Sequence, residues 1–139
     1  MRKRRKSREF ALQVLYQLTI TKQDVVKALA QFQDHFSGND EKDGFMERLV
    51  MGVLDHSREI DRLIEKYSEN WRLERMNMID RAILRMATFE LLYCEEIPPK
   101  VTLNEAIELG KRFGSEDSGS FINGILDRIQ KEAIHKPIQ

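Results

Sequence analysis

Apolar side chains recur at the spacing of an α-helix along the whole chain. The first apolar stripe consists of Ala11, Val14, Leu15 and Leu18. Its i, i+3, i+4, i+7 spacing predicts an amphipathic helix near the N-terminus. No segment alternates apolar and polar residues as a half-buried strand does. We therefore expect an all-α protein of six or seven helices in two packed sub-bundles.

Start and stop residues divide this pattern into elements. Thr21 with Asp24 forms a helix-start signal, and the Ser-Gly-Asn-Asp run at 37–40 is typical of a loop. Residues 41–69 then form either one long helix or two helices, the second capped by Ser57.

The helix predicted over 79–93 is apolar on nearly every face, so we expect it at the centre of the bundle. The Ile-Pro-Pro run at 97–99 should end it, because proline lacks the amide donor. Thr102 with Glu105 then predicts a capping box for the next helix, which Gly114 should end.

Between these helices, residues 68–77 have no regular pattern, and we interpret them as the seam between the sub-bundles. Trp71 is expected to be a wedge in that seam. Glu90 lies among apolar neighbours, so its carboxylate should be paired, with Arg85 or another base as the partner.

Composition excludes several classes of protein. Hydrophobic residues make up 41% of the 139 residues and charged residues 33%, which is typical of one soluble globular domain over 1–139. The single cysteine, Cys94, precludes an internal disulfide and favours the cytoplasm. The histidines have no ligand spacing, so we expect no metal or other cofactor. The N-terminal apolar run superficially resembles a secretory signal, but Gln13 and Gln17 interrupt it.

Charge is segregated, although the net charge is zero. The first twenty residues contain six basic residues and one acidic residue, a net charge of +5. Such a basic arm, residues 1–8, is either a solubilising tail or a site for phosphate, which suits the planar fork of arginine. The basic residues are Arg2, Lys3, Arg4, Arg5, Lys6 and Arg8.

A second candidate site is the helix-loop-helix junction at 113–123. Phe113 and Phe121 flank it, and each is either a core residue or a platform for an unstacked RNA base. Asp117 either caps the final helix or accepts from a base edge. Asn123 either reads a base or hydrogen-bonds locally.

Enzyme signatures are incomplete. Gly114 and Gly119 have the spacing of a phosphate loop, but Ser120 and Phe121 occupy the places of the required Lys and Ser/Thr. No Ser/His/Asp set has a context that would activate a nucleophile. We therefore expect no catalytic activity.

Five blocks of sequence carry a family resemblance. They are ALQVLY at 11–16, DRAILR at 80–85, FEL at 89–91, VTLNEAIEL at 101–109 and FINGILD at 121–127. In this order and after an arginine-rich start, they resemble the NusB family of bacterial transcription antitermination factors. The segment 22–42 matches little beyond its helical pattern, and Ser120 stands where family members often carry lysine.

The resemblance implies an all-helical, non-catalytic protein. It implies binding to the boxA element of nascent ribosomal RNA transcripts, a heterodimer with a ribosomal protein of the NusE type, and a place in the antitermination complex of RNA polymerase. By position, RNA contact would fall to the basic arm and to Phe113, Asp117, Ser118, Phe121 and Asn123. Partner contact would fall to Tyr16, Glu74, Asp80 and Arg85; from the residues alone, Tyr16 is either a core-rim residue or a partner contact.

The alternative is a helical protein-protein adaptor whose basic arm is only a solubilising or assembly tail. Such an adaptor would not distinguish a boxA-like RNA from a scrambled RNA.

Overall fold

In a computed structural model, the described residues are 2–21, 24, 26–30, 44–69 and 71–134. None of these residues lies in a strand, and residues 26–30 are helical. The helices with defined bounds are α1 (Arg2–Thr21), α2 (Phe45–Asp55), α3 (Ser57–Tyr67), α4 (Met78–Tyr93), α5 (Pro99–Phe113) and α6 (Ser118–Ala133), with a 3₁₀ turn at Leu73–Arg75. The all-α prediction is confirmed.

Helix α4 is the central element, as its apolar faces predict. It contacts α1, α2 and α3 as well as α5 and α6. Ile83 and Leu84 on this helix are fully buried. The two groups of helices share one continuous hydrophobic core.

The basic arm is the first part of α1 and not a segment that precedes it. Ser7 is fully buried and Arg8 is 4% exposed, so the core begins before Ala11, where the apolar stripe had placed its start. Arg8 lies one helical turn before Ala11 on the same face of α1. The N-terminal turns are therefore held against the rest of the protein.

The capping box predicted at Thr102 and Glu105 is wrong. Helix α5 begins at Pro99, since proline is suited to the first helical position, where the amide would have no partner. Three residues into this helix, the Thr102 hydroxyl donates to Glu90 Oε1 at 3.0 Å, while Glu105 accepts from Arg5. Both side chains bind residues of other helices, and neither caps the start of α5.

The helix start predicted at Thr21 is also displaced. Thr21 is the last residue of α1, and its hydroxyl donates to the Gln17 carbonyl at 2.8 Å. Asp24 Oδ1 accepts instead from the Val26 amide at 2.9 Å, so the cap is Asp24 alone. The loop predicted at 37–40 lies outside the described residues.

Two helices, and not one, occupy the described part of 41–69. They are separated at His56, and Ser57 is the first residue of α3 without a side-chain cap bond. Helix α4 has the cap that sequence analysis missed: Asn77 Oδ1 accepts from the Asp80 amide at 2.7 Å.

Trp71 is not a wedge. Its side chain is 47% exposed, whereas the neighbouring Leu73 and Met76 are buried in its place. The 3₁₀ turn that follows Trp71 points Leu73 inward, so the smaller aliphatic side chains seal this part of the core.

Candidate functional site

A buried charge cluster fixes the N-terminal turns of α1. Arg8 donates from Nε and Nη2 to the two oxygens of Glu90 at 2.7 and 2.8 Å. Arg5 binds Glu105 in the same bidentate way, at 3.1 and 2.7 Å. Glu90 thus has the basic partner that its apolar surroundings predicted, and that partner is Arg8. Arg85, the other candidate, pairs with Asp61 instead.

The pKa values of Arg8 and Glu105 are shifted in the directions that favour their charged forms. Burial alone would lower the pKa of Arg8, but its hydrogen bonds and charge interaction with Glu90 outweigh burial and raise the pKa. The hydrogen bond from Arg5 holds the pKa of Glu105 below its usual value. Arg8 is held within the fold by Glu90, and its burial leaves little of it exposed for the RNA contact that the resemblance implies.

A second charge group lies beside the arm, at the start of α2. The Arg4 guanidinium lies 4.7 Å from the centroid of the Phe45 ring and 3.5 Å from a Glu96 oxygen. Arg48 donates to both oxygens of Glu96, at 2.6 and 3.2 Å. This bond from Arg48 lowers the pKa of Glu96 to about 2. No local feature of the sequence links Arg48 to the arm.

An ion pair joins the residue that follows the arm to the residue that precedes the junction. Arg112 Nη1 donates to Glu9 Oε2 at 2.6 Å, although the residues are 103 positions apart in sequence. The Arg112 guanidinium also lies 5.0 Å from the centroid of the Phe113 ring. The structure therefore brings together the two segments that sequence analysis singled out separately.

The junction itself is a tight turn between α5 and α6. The Ser115 amide donates to the Ser118 hydroxyl at 2.9 Å, and Ser118 is fully buried. A Cβ at Gly114 would overlap the Ser118 side chain, so this close approach requires glycine. Ser118 holds this turn together, and its burial leaves little of it exposed for the RNA contact that the resemblance implies.

Other junction side chains face solvent. Asp117 stands at the N-cap of α6, but its carboxylate makes no cap bond, so the capping interpretation is wrong. Asp117, Ser120 and Asn123 are exposed, and Phe113 is 40% exposed. Phe121 is half-buried and packs against the core.

In the remainder of the arm, Lys6 is exposed, with its ammonium 5.9 Å from the centroid of the Phe10 ring. The backbone of Arg2 and Lys3 belongs to α1, and their side chains lie outside what the structure describes.

The residues expected to contact a protein partner differ in exposure. Tyr16 is 37% exposed, and Glu74 lies exposed in the 3₁₀ turn. Asp80 is 5% exposed in the first turn of α4, where Oδ2 accepts from Asn77 and Oδ1 has no hydrogen-bond partner among the described residues. Arg85 donates to both oxygens of Asp61 at 2.8 and 3.1 Å.

One of these residues, Arg85, lies in the lining of a groove of about 330 Å³. Leu15 and Leu18 of α1, Val53 and Leu54 of α2, and Arg81 and Arg85 of α4 contribute to its lining. The groove is mainly apolar, and Arg81 Nε beside it is buried without a partner among the described residues. Such a surface suits an apolar segment that also brings a hydrogen-bond acceptor.

The fold and these two surfaces define a small all-helical protein with a cationic, aromatic face and a separate apolar groove. None of the helices in the described ranges is both long enough and apolar enough to traverse a bilayer. Residues 5–131 match the model of the NusB family. The chain belongs to that family.

Similar proteins support this assignment. The transcription antitermination protein NusB of Syntrophus aciditrophicus is 50% identical over 98% of this chain and 84% of its own length. The solved structure of T. maritima NusB has a TM-score of 0.86 and 41% identity, covering 96% of this chain and 93% of that one. A structure of the antitermination factors NusB and NusE in complex with double-stranded RNA has a TM-score of 0.84 and 26% identity, covering 94% of this chain and 98% of that one.

Proposed function

We propose that this chain is a non-catalytic, cytoplasmic antitermination factor. It binds boxA-type single-stranded RNA of nascent ribosomal RNA transcripts together with a NusE-type small-subunit ribosomal protein, within the RNA polymerase antitermination complex. Membership of the NusB family supports the antitermination role, and the related NusB in complex with NusE and RNA supports both kinds of partner.

The observation that carries the RNA part is the Glu9 to Arg112 ion pair. It makes one surface from the cationic N-terminal turns of α1 and the aromatic junction. Arginine and lysine suit phosphate, which every RNA presents alike, whereas aromatic rings, carboxylates and amides can hold or distinguish bases. One continuous face thus combines sequence-independent affinity with the groups needed for sequence preference.

The proposed RNA contacts are the predicted residues other than the buried Arg8 and Ser118. They are Arg2, Lys3, Arg4, Arg5, Lys6, Phe113, Asp117, Phe121 and Asn123. Arg5 contributes through the part of its side chain that stays exposed beside Glu105, since that side chain is 54% accessible.

The groove between α1, α2 and α4 is the proposed site of the protein partner. Tyr16 follows Leu15, which lines the groove, and Arg85 contributes directly to its lining. Asp80 acts from below the surface, because it lies buried in the first turn of α4 beside Arg81, where its carboxylate accepts from the Asn77 cap. Glu74 would extend the contact toward the 3₁₀ turn.

A binding titration tests this function. The chain is titrated against a boxA-type RNA and a scrambled RNA of equal length, with and without a purified NusE-type protein. We expect preference for the boxA-type RNA, and tighter binding when the partner is present. Equal binding to both RNAs, with or without the partner, would favour the protein-protein adaptor instead.

A further inference from the structure

The arginines near the proposed RNA face differ in how much of each guanidinium is already used. Arg5 and Arg8 each present Nε and Nη2 to a carboxylate, and Arg48 presents both Nη atoms to Glu96. One of the two-nitrogen edges that could grip a phosphate is therefore already occupied by a carboxylate in each of these three residues.

Arg112 is different. Its single hydrogen bond within the described structure runs from Nη1 to Glu9, so the edge formed by Nε and Nη2 has no acceptor there. A guanidinium has five N–H donors, and four of them remain for another ligand. The Arg112 side chain is 45% accessible, whereas Glu9 is only 13% accessible, so the carboxylate is a fixed anchor and the arginine is the exposed partner.

We propose that Arg112 is a phosphate-binding residue of the RNA face, placed next to the base-binding junction. This inference rests on the proposed function. Contact with the Phe113 ring, 5.0 Å away, and the bond to Glu9 limit the positions of the guanidinium, while its open edge can bind two phosphate oxygens. A base on Phe113 would bring its own phosphate close to this arginine.

A matched control is available in Arg128. Its side chain is 44% accessible, and its Nη1 also faces one glutamate oxygen, that of Glu69, at 3.3 Å. It lies ten residues along α6 from Ser118, about 15 Å by the helical rise. Arg112→Gln and Arg128→Gln therefore remove equally exposed charges at different distances from the junction.

The experiment measures the Kd of a boxA-type RNA at several salt concentrations, with thermal unfolding as a check on the fold. We expect Arg112→Gln to weaken binding roughly tenfold and to reduce the slope of log K against log salt by about 0.7. Arg112→Lys should keep the salt slope, because it keeps the charge. It should bind RNA about threefold more weakly, because lysine lacks the planar two-nitrogen edge of the guanidinium. Arg128→Gln should change neither quantity.

The outcomes separate this inference from the proposed function. In one outcome, the wild type prefers boxA-type RNA while both Arg112→Gln and Arg128→Gln keep the wild-type affinity and salt slope. That result would overturn the role of Arg112 and leave the proposed function intact. Equal losses of RNA affinity in Arg112→Gln and Arg128→Gln would also overturn this role, because removing any exposed positive charge would then have the same effect. A wild-type chain that does not prefer boxA-type RNA would refute the proposed function itself.

Discussion

The Arg8 guanidinium and the Glu90 carboxylate form a bidentate pair whose side chains are 5% and 2% accessible. Arg8 comes from α1 and Glu90 from the central helix α4. Thr102 of α5 donates to the same carboxylate. One acidic side chain therefore joins three helices at the place where the arm meets the core.

Removing the charge of Glu90 should strongly destabilise the protein. Glu90→Gln leaves the Arg8 guanidinium buried without its counter-charge, and breaking one side of such a pair costs about 3–5 kcal/mol. Urea unfolding followed by circular dichroism measures the loss. As a control, Arg128→Gln breaks an exposed pair and should change the free energy of unfolding by about 0.5 kcal/mol or less. A Glu90→Gln variant as stable as this control would contradict the structural role of the pair.

Stability should fall as the solution is acidified below about pH 4.5. The pKa of Glu96 is lowered from 4.5 to about 2 in the folded chain, so its contribution is complete above pH 4.5 and is lost as pH falls toward 2. Glu105 acts in the same direction, because Arg5 lowers its pKa. Since Glu96 is partly exposed, its contribution to the free energy of unfolding is small.

The unfolding free energy as a function of pH tests this contribution. Glu96→Gln should make the fall between pH 4.5 and 2 shallower. Arg48→Gln should do the same, because it removes the hydrogen bond that lowers the pKa of Glu96. If the unfolding free energy falls with pH in parallel for the wild type and both variants, the pair of Arg48 and Glu96 does not contribute to this pH dependence.

The arm should supply affinity without sequence preference. Arg4 and Lys6 are not committed to the buried pairs, so Arg4→Gln with Lys6→Gln should keep the fold. If each residue binds one phosphate, the slope of log K against log salt falls by about 1.4 for single-stranded RNA. The ratio of affinities for boxA-type and scrambled RNA should stay constant. An unchanged slope would assign the arm a solubilising role.

Tyr16 and Phe113 should separate the two proposed partners. Their exposed fractions are nearly equal, at 37% and 40%. Tyr16→Ala should weaken binding of the NusE-type protein and leave RNA binding by the isolated chain unchanged. Phe113→Ala should do the reverse, with a loss of about 1–3 kcal/mol on all RNA sequences if the ring stacks on a base. Calorimetry with each partner checks both variants, and two variants with the same pattern of losses would contradict the assignment.

Asp117 is expected to affect which RNA is preferred. Its exposed carboxylate does not cap α6, so Asp117→Asn should leave the melting temperature nearly unchanged. Loss of a base contact should alter the preference between boxA and a point-mutated boxA by about 1–3 kcal/mol, with little change in salt dependence. Unaltered discrimination in a stable variant would exclude base reading by this residue.

Asp80→Asn is a better probe of the proposed partner site than a charge reversal at this position. Asp80 is buried and bonded to Asn77, so a charge reversal would disturb the start of α4 as well as the interface.

Periodicity was sufficient to predict the fold because it reflects burial, which acts on every turn of every helix. The stripe from Ala11 to Leu18 and the apolar faces of α4 are examples. Helix ends were less predictable, since Thr102 and Glu105 have the residue types of a capping box but bind side chains from other helices. Local patterns cannot distinguish a local from a distant hydrogen-bond partner.

The candidate site was predictable only in parts. The cationic arm and the aromatic junction are visible in the sequence, but Glu9 and Arg112 are 103 residues apart, and no local signal links them. The run of basic residues around Arg8 suggests a surface cation, although its register with Ala11 places it on the buried face of α1. Trp71 shows the opposite error, because a large aromatic side chain is not always buried when smaller residues fill the space.

The bond between the Ser115 amide and the Ser118 hydroxyl gives the junction a fixed shape in the free protein. Little entropy then remains to be lost by the protein when RNA binds, so most of the ordering cost falls on the RNA strand. We therefore expect affinity to respond to the stiffness of the RNA: a strand already held in an open, unstacked conformation should bind more tightly than a flexible strand of the same sequence.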